Sequence, residues 1–238
     1  SGAQGLSTVN TTNGRAINIV NSTIGVANVR FGSVSSNGGD HGINMSSIAG
    51  SGAFHVTGIG PSDPTIAVGT RGREGTGNGS GGTISNSTDD HVKLASVNNV
   101  VLRHMVLQTS GDDGIQASTV NGLVLDNSRI HTAPTHGVRG TNLSNLTVLN
   151  SEIIEAGNGI GEDAFNLNEL LGSSSITNTI IDEHQSQGVY INNATKTSVA
   201  TPDVLMIRNS AITDSDALQG EIGIEFTSFG SSNFSLHV

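Results

Sequence analysis

The chain has no cysteine and no tryptophan, one tyrosine and only four prolines. Without cysteine it has neither a disulfide framework nor a thiolate metal site. Charged residues make up 13% of the chain, about half the usual share. Only two of the ten cations are lysines, Lys93 and Lys196. Low charge and scarce proline argue against disorder. The composition lacks the Ala, Glu, Lys and Leu that a helix bundle or coiled coil needs. No run approaches 18 consecutive apolar residues, so no membrane insertion is expected. The net charge is −10, which repels phosphate backbones, and nucleic acid is not expected as a partner.

Glycine is abundant instead, with 32 residues among 238. It follows no period of three, which excludes collagen. A Cys-free, acidic chain rich in Gly, Ser, Thr and Asn fits an extracellular or cell-surface protein of bacterial type. The sequence starts Ser1-Gly2-Ala3 and still alternates at Phe234-Ser235-Leu236-His237-Val238. It is expected to form one domain over residues 1–238, cut from a longer chain.

The alternation repeats. A small residue or His precedes alternating apolar positions at Gly42-Ile43-Asn44-Met45, His91-Val92-Lys93-Leu94 and Gly114-Ile115-Gln116-Ala117. The same pattern returns at Gly137-Val138, Ala164-Phe165, Gly188-Val189 and Gly223-Ile224. From Val92 the steps are 23, 23, 27, 24 and 35 residues, and Ile43 to Val92 is 49, read as two steps. A second unit runs in phase: Asn127-Ser128-Arg129-Ile130, Asn150-Ser151-Glu152-Ile153, Asn178-Thr179-Ile180-Ile181 and Asn209-Ser210-Ala211-Ile212. Arg103-His104-Met105-Val106 is a variant, and Asn21-Ser22-Thr23-Ile24 reads as an early copy. Alternation over three to five residues is strand patterning.

One such turn cannot bury its own apolar face. Stacked turns can, with each strand pairing in parallel with its copy about 4.8 Å away. The prediction is an all-β, right-handed parallel β-helix of about ten turns with some 23 residues each. Asn at the corners tolerates the left-handed conformation, and its amides can stack along the rod. Loops are expected at residues 69–82, 169–174 and 195–203.

Gly81-Gly82-Thr83-Ile84-Ser85-Asn86, Ser110-Gly111-Asp112-Asp113-Gly114-Ile115 and Val120-Asn121-Gly122-Leu123 resemble right-handed parallel β-helix proteins of pectin-lyase-like fold. The resemblance is closest to bacterial extracellular β-strand-repeat proteins and is strongest over residues 80–230. It implies fold firmly and activity weakly, since stalks, adhesins, lyases and hydrolases share this architecture.

Asp90, Asp113, His136 and Asp163 each lie just before the alternating strand on successive turns, and are expected to line up on the outer face. Lys93, Gln116, Arg139, Asn166 and Tyr190 are the expected outward row of the strand itself, a candidate ligand-binding groove. Asp112-Asp113 resembles the Asp-Asp element of polygalacturonase-like hydrolases. His136-Gly137 follows one turn later, with Thr135 in place of their first Gly. Their Asn-x-Asp and Arg-x-Lys elements are missing. By that resemblance the catalytic set of an enzyme would be Asp112, Asp113, His136, Asp163 and Arg139. Asp89, Asp90, Asp112, Asp113, Glu162 and Asp163 offer oxygen ligands for calcium, although no cofactor is required. His131 and His136 flank Pro134 in one turn and could pair on a metal; the histidines otherwise show no His-Glu-x-x-His and no pair at helical spacing.

The expected function is structural and adhesive: a rigid extracellular rod segment that binds a polysaccharide or cell-surface ligand through loops and polar rows. A polysaccharide hydrolase or lyase is the first alternative. A self-assembling filament subunit is the second, since uncapped solenoid ends expose strand edges.

Overall fold

The computed structural model describes residues 7–58, 79–194, 202–214, 222–228 and 233–238. Among the described residues the regular elements are β-strands, paired in parallel. None contains a helix long and apolar enough to cross a membrane. The strands form an eight-stranded sheet and a fourteen-stranded sheet that bends to make two further faces. A typical turn runs Arg129–Ala133, Val138–Ser144 and Thr147–Leu149. The chain is a parallel β-helix with three short strands per turn.

Register follows the sequence pattern. Ile43, Val92, Ile115, Val138, Phe165, Val189 and Ile224 are successive Cα partners. Ile17 extends this column by one turn. Alternation sends these side chains inward, and stacking them makes one continuous core in which Ile43, Ile115, Leu125 and Phe165 are fully enclosed.

The eight-stranded sheet contributes one strand per turn, so the described residues make eight turns rather than about ten. The difference lies at the 49-residue step, because Ile43 pairs directly with Val92. That step is one turn carrying an insertion, and residues 59–78 within it lie outside the described residues. The loop expected over 69–82 is therefore described only from Gly79, and Gly82–Ser85 is already a strand. Of the loop expected over 195–203, only Pro202 and Asp203 are described.

The loop expected at 169–174 is not a loop. Phe165–Leu171 and Ser173–Thr177 are both strands, hinged at Gly172. Serines there look loop-like in sequence, but Ser174 is buried and its Oγ accepts a hydrogen bond from the Leu146 N–H one turn away (3.1 Å). The extra residues of the 27-residue step lie between Ala156, which still pairs with Ala133, and Phe165. Gly157 and Gly161 allow that detour with φ of 79° and 81°.

Corners carry the left-handed residues. Twenty described non-glycine residues have φ between 46° and 63°, and eleven of them are Asn. Asn suits this region because its short amide bonds locally. His104, Asn127, Asn150, Asn178 and Asn209 stack at one corner. There Asn178 Nδ2 donates to Asn150 Oδ1 at 3.0 Å and Asn209 Nδ2 to Asn178 Oδ1 at 2.7 Å, the amide ladder expected from sequence. Asn21 does not belong to this corner. It stacks with Ser47 at a bend within another face, so its resemblance to the Asn-Ser unit is one of backbone conformation alone.

Leu125 tests the inward phase because it is 1% exposed. Leu125→Ala is expected to cost about 2–5 kcal/mol in urea unfolding, by opening a cavity among stacked leucines. A cost within about 0.5 kcal/mol, typical of a surface change, would contradict the assigned phase.

Candidate functional site

Period-two alternation decides which acids reach solvent. Asp90, Asp113 and Asp163 each lie two residues before an inward Val92, Ile115 or Phe165, so they share the core's side of the strand. Asp90 and Asp113 are 0% exposed and Asp163 is 1% exposed. His41 and His136 occupy the same phase and are likewise buried. The expected line of Asp90, Asp113, His136 and Asp163 therefore exists, but it runs inside the wall and not on the outer face. Asp89, Asp112 and Glu162 are one residue out of phase and half-buried. Gly114 and Gly137 let the corner close: a Cβ at Gly114 would sit 2.6 Å from the Gly137 carbonyl oxygen.

Contacts tie the column from turn to turn. His41 Nδ1 is 3.0 Å from the Asp90 carbonyl oxygen, and Asp113 N–H donates to Asp90 Oδ1 at 3.3 Å. Asp163 N–H donates to His136 Nδ1 at 2.9 Å. Asp163 is well satisfied, accepting from Gln187 N–H at 3.0 Å and Asn166 Nδ2 at 2.8 Å. Asp113 is not: neither carboxylate oxygen has a hydrogen-bond partner of good geometry, and Asp90 Oδ2 also lacks one. Arg139 Nη1 stands 3.9 Å from Asp113 Oδ2, and Lys93 Nζ lies 3.5 Å from Asp90 Oδ2 and 3.8 Å from Asp89 Oδ2.

Burial, reinforced by Asp112 and Asp90, pushes the Asp113 carboxyl up to about 8; Arg139 and the neighbouring Gln116 oppose this without outweighing it. Burial likewise raises Asp163 to about 6 and raises Asp90. His136 is pushed down by burial. A neutral His136 accepting at Nδ1 fits that direction.

The outward row forms as expected. Lys93, Gln116, Arg139, Asn166 and Tyr190 are successive Cα partners. The row extends to Asn18 and Asn44 on one side and Glu225 on the other. Arg139 is exposed, and the other four of the expected row are partly so. Such a row presents amides, two cations and one aromatic ring at strand spacing along one face.

The site has a part that sequence reasoning missed. His41 Nε2 lies 3.7 Å from Asp89 Oδ2, bringing an imidazole to the first acidic turn. The signal was the identical phase of His41-Gly42-Ile43, hidden by reading the 49-residue step as two turns. His41, Asp89 and Asp90 form one potential metal-ligating group, and Asp90, Asp112 and Asp113 form another. Glu162 and Asp163 belong to neither. His131 turns instead to Glu155, with Nε2 3.3 Å from Oε1.

The model of the right-handed β-helix region matches residues 64–217, more than half of the chain. The chain belongs to that family, which both rods and enzymes populate. No curated protein matches it, and no solved structure does.

The raised carboxyl groups have a pH consequence. The folded state holds protons that the unfolded chain releases above about pH 3.9. Their stabilisation is complete below that pH and is lost as pH rises through about 6 for Asp163 and about 8 for Asp113. Buried His91, pushed down to about 4, acts oppositely below pH 6.5. Above 6.5 the raised carboxyl groups of Asp113 and Asp90 remain, Asp113 at about 8. In metal-free buffer the melting temperature should fall between about pH 6.5 and 8.5, and Asp113→Asn should flatten that fall. An equal fall in the variant would show that another group titrates.

Proposed function

We propose that this chain is a rigid structural and adhesive rod segment of an extracellular or cell-surface protein. It binds a polysaccharide or similar cell-surface ligand along the row from Lys93 to Tyr190. The observation that carries this reading is the continuity of the row in register, beside acids that are enclosed. Gln116 and Asn166 offer hydrogen bonds to hydroxyls. Lys93 and Arg139 suit carboxylate or sulfate substituents. The Tyr190 ring suits the apolar face of a sugar. The stacked sheets supply stiffness, so the row is organised before ligand arrives and little ordering cost attends binding.

A second reading, a polysaccharide hydrolase or lyase, is favoured by one feature. Asp90, Asp112 and Asp113 gather ligand oxygens within 4.8 Å of one another, and paired carboxyl groups can act on a glycosidic bond. Asp112 is the member that reaches solvent, whereas His136 and Asp163 lie enclosed further along the column. That enclosure favours binding over turnover.

Affinity electrophoresis against a panel of acidic and neutral polysaccharides tests the proposal. At least one acidic polymer should retard the protein. Arg139→Gln and Tyr190→Ala should each weaken binding about tenfold, roughly 1.4 kcal/mol. Retardation unchanged in both variants would move the binding surface elsewhere. Shortened polymer chains, lost with Asp113→Asn, would replace the rod with the enzyme.

A further inference from the structure

We propose that Asp90, Asp112 and Asp113 form a calcium site at the corner between two successive turns. The site would stand whether or not the outward row binds a polysaccharide, because its three ligand carboxylates are not members of that row.

The geometry comes from register. Asp90 and Asp113 occupy the same position on adjacent turns, as their neighbours Val92 and Ile115 pair directly. Asp112 adds a third carboxylate from the edge of the same corner. One oxygen from each lies within 4.8 Å of the others. Oxygens around one calcium ion are separated by up to roughly 4.6–5.2 Å, twice the 2.3–2.6 Å ligand distance. An irregular set drawn from two turns suits calcium, whose coordination is flexible, better than magnesium, which demands a near-ideal octahedron.

Closeness of acids alone would not make a site. The second observation is that three of the four carboxylate oxygens of Asp90 and Asp113, on the inner wall of this cluster, have no hydrogen-bond partner of good geometry. Asp113 is 0% exposed and both of its oxygens are in this state, as is Oδ2 of the equally enclosed Asp90. Buried anionic oxygens normally have partners, and leaving them without is costly. Elsewhere in the same column the protein does supply them: Asp163 receives Gln187 N–H and Asn166 Nδ2. The difference between Asp163 and Asp113 is what a bound cation would remove.

Charge points the same way. Once Asp113 gives up its proton on cation binding, Asp89, Asp90, Asp112 and Asp113 carry four negative charges. The cations facing them are Lys93, between Asp89 and Asp90, and Arg139, at 3.9 Å from Asp113. His41 faces Asp89 from the preceding turn. Against Lys93 and Arg139 the remainder is two negative charges, which one divalent ion balances. Oxygen-only ligation by carboxylates selects a hard cation.

Calorimetric titration of calcium chloride into chelator-stripped protein, paired with thermal unfolding, tests this. One calcium per chain should bind, and millimolar calcium should raise the melting temperature by mass action. Asp112→Asn, at the half-buried edge, should weaken binding at least about tenfold, since affinity follows ligand charge. Asp113→Asn should abolish the calcium response while melting, without calcium, at or above the wild-type temperature. Should Asp113→Asn fail to fold, Asp112→Asn decides. Glu162→Gln, outside the cluster, should bind as wild type. The proposal is overturned if wild-type protein gives neither heat nor a melting shift with calcium. It is also overturned if the folded aspartate variants keep the full response, or if magnesium serves equally well.

Discussion

Parallel pairing of each residue with its counterpart one turn away governs everything else in this molecule. A strand in such a stack meets its own pattern, so every choice of side chain is repeated at about 4.8 Å. For Ile, Val and Leu the repetition is favourable, since a single turn cannot hide them and a stack can. For Asn at the corners it is favourable too, because one amide donates to the next. For aspartate it is unfavourable, since like charges are brought together in a poorly solvated corner. Asp90 and Asp113 show the result: carboxyl groups inside the wall with unmatched oxygens and raised proton affinity.

The same pairing divides the acidic turns into two populations. Moving by one residue along a strand moves a side chain to the other face. Asp113 is therefore enclosed while Asp112 meets solvent, although the two are adjacent in sequence. A surface for ligands and an interior set of anions then coexist on one short stretch of chain. Lys93 and Arg139 connect them, rising from the outward row and reaching back toward Asp90 and Asp113. Ligand binding at the row and cation binding beneath it would draw on these same two side chains.

Most of the fold was legible in the sequence, because alternation and the 23-residue step are direct consequences of stacking. The column from Val92 to Ile224 and the outward row from Lys93 to Tyr190 needed nothing more. Three features escaped for identifiable reasons. The step from Ile43 to Val92 concealed an insertion, because 49 is close to twice 23; this removed His41 from the site and inflated the turn count. Residues 169–174 imitated a loop, because Ser174, buried against the Leu146 N–H of the neighbouring turn, has the same residue type as a solvated turn serine. The acids were assigned outward because aspartate before glycine suggests a solvated turn. Counting two residues back from Ile115 would have placed Asp113 inside.

The register between the second and third turns sets the row, the acidic column and the place of His41. The chain's lack of cysteine makes the measurement clean. Asn44→Cys combined with Lys93→Cys should form a disulfide on mild oxidation, because Cα partners about 4.8 Å apart fall within the range a disulfide spans. Asn44→Cys combined with Gln116→Cys, two turns apart at about 9.6 Å, should remain as free thiols. A bond in the second pair, or thiols that stay free in the first while the protein is folded, would contradict the stacking on which the site depends.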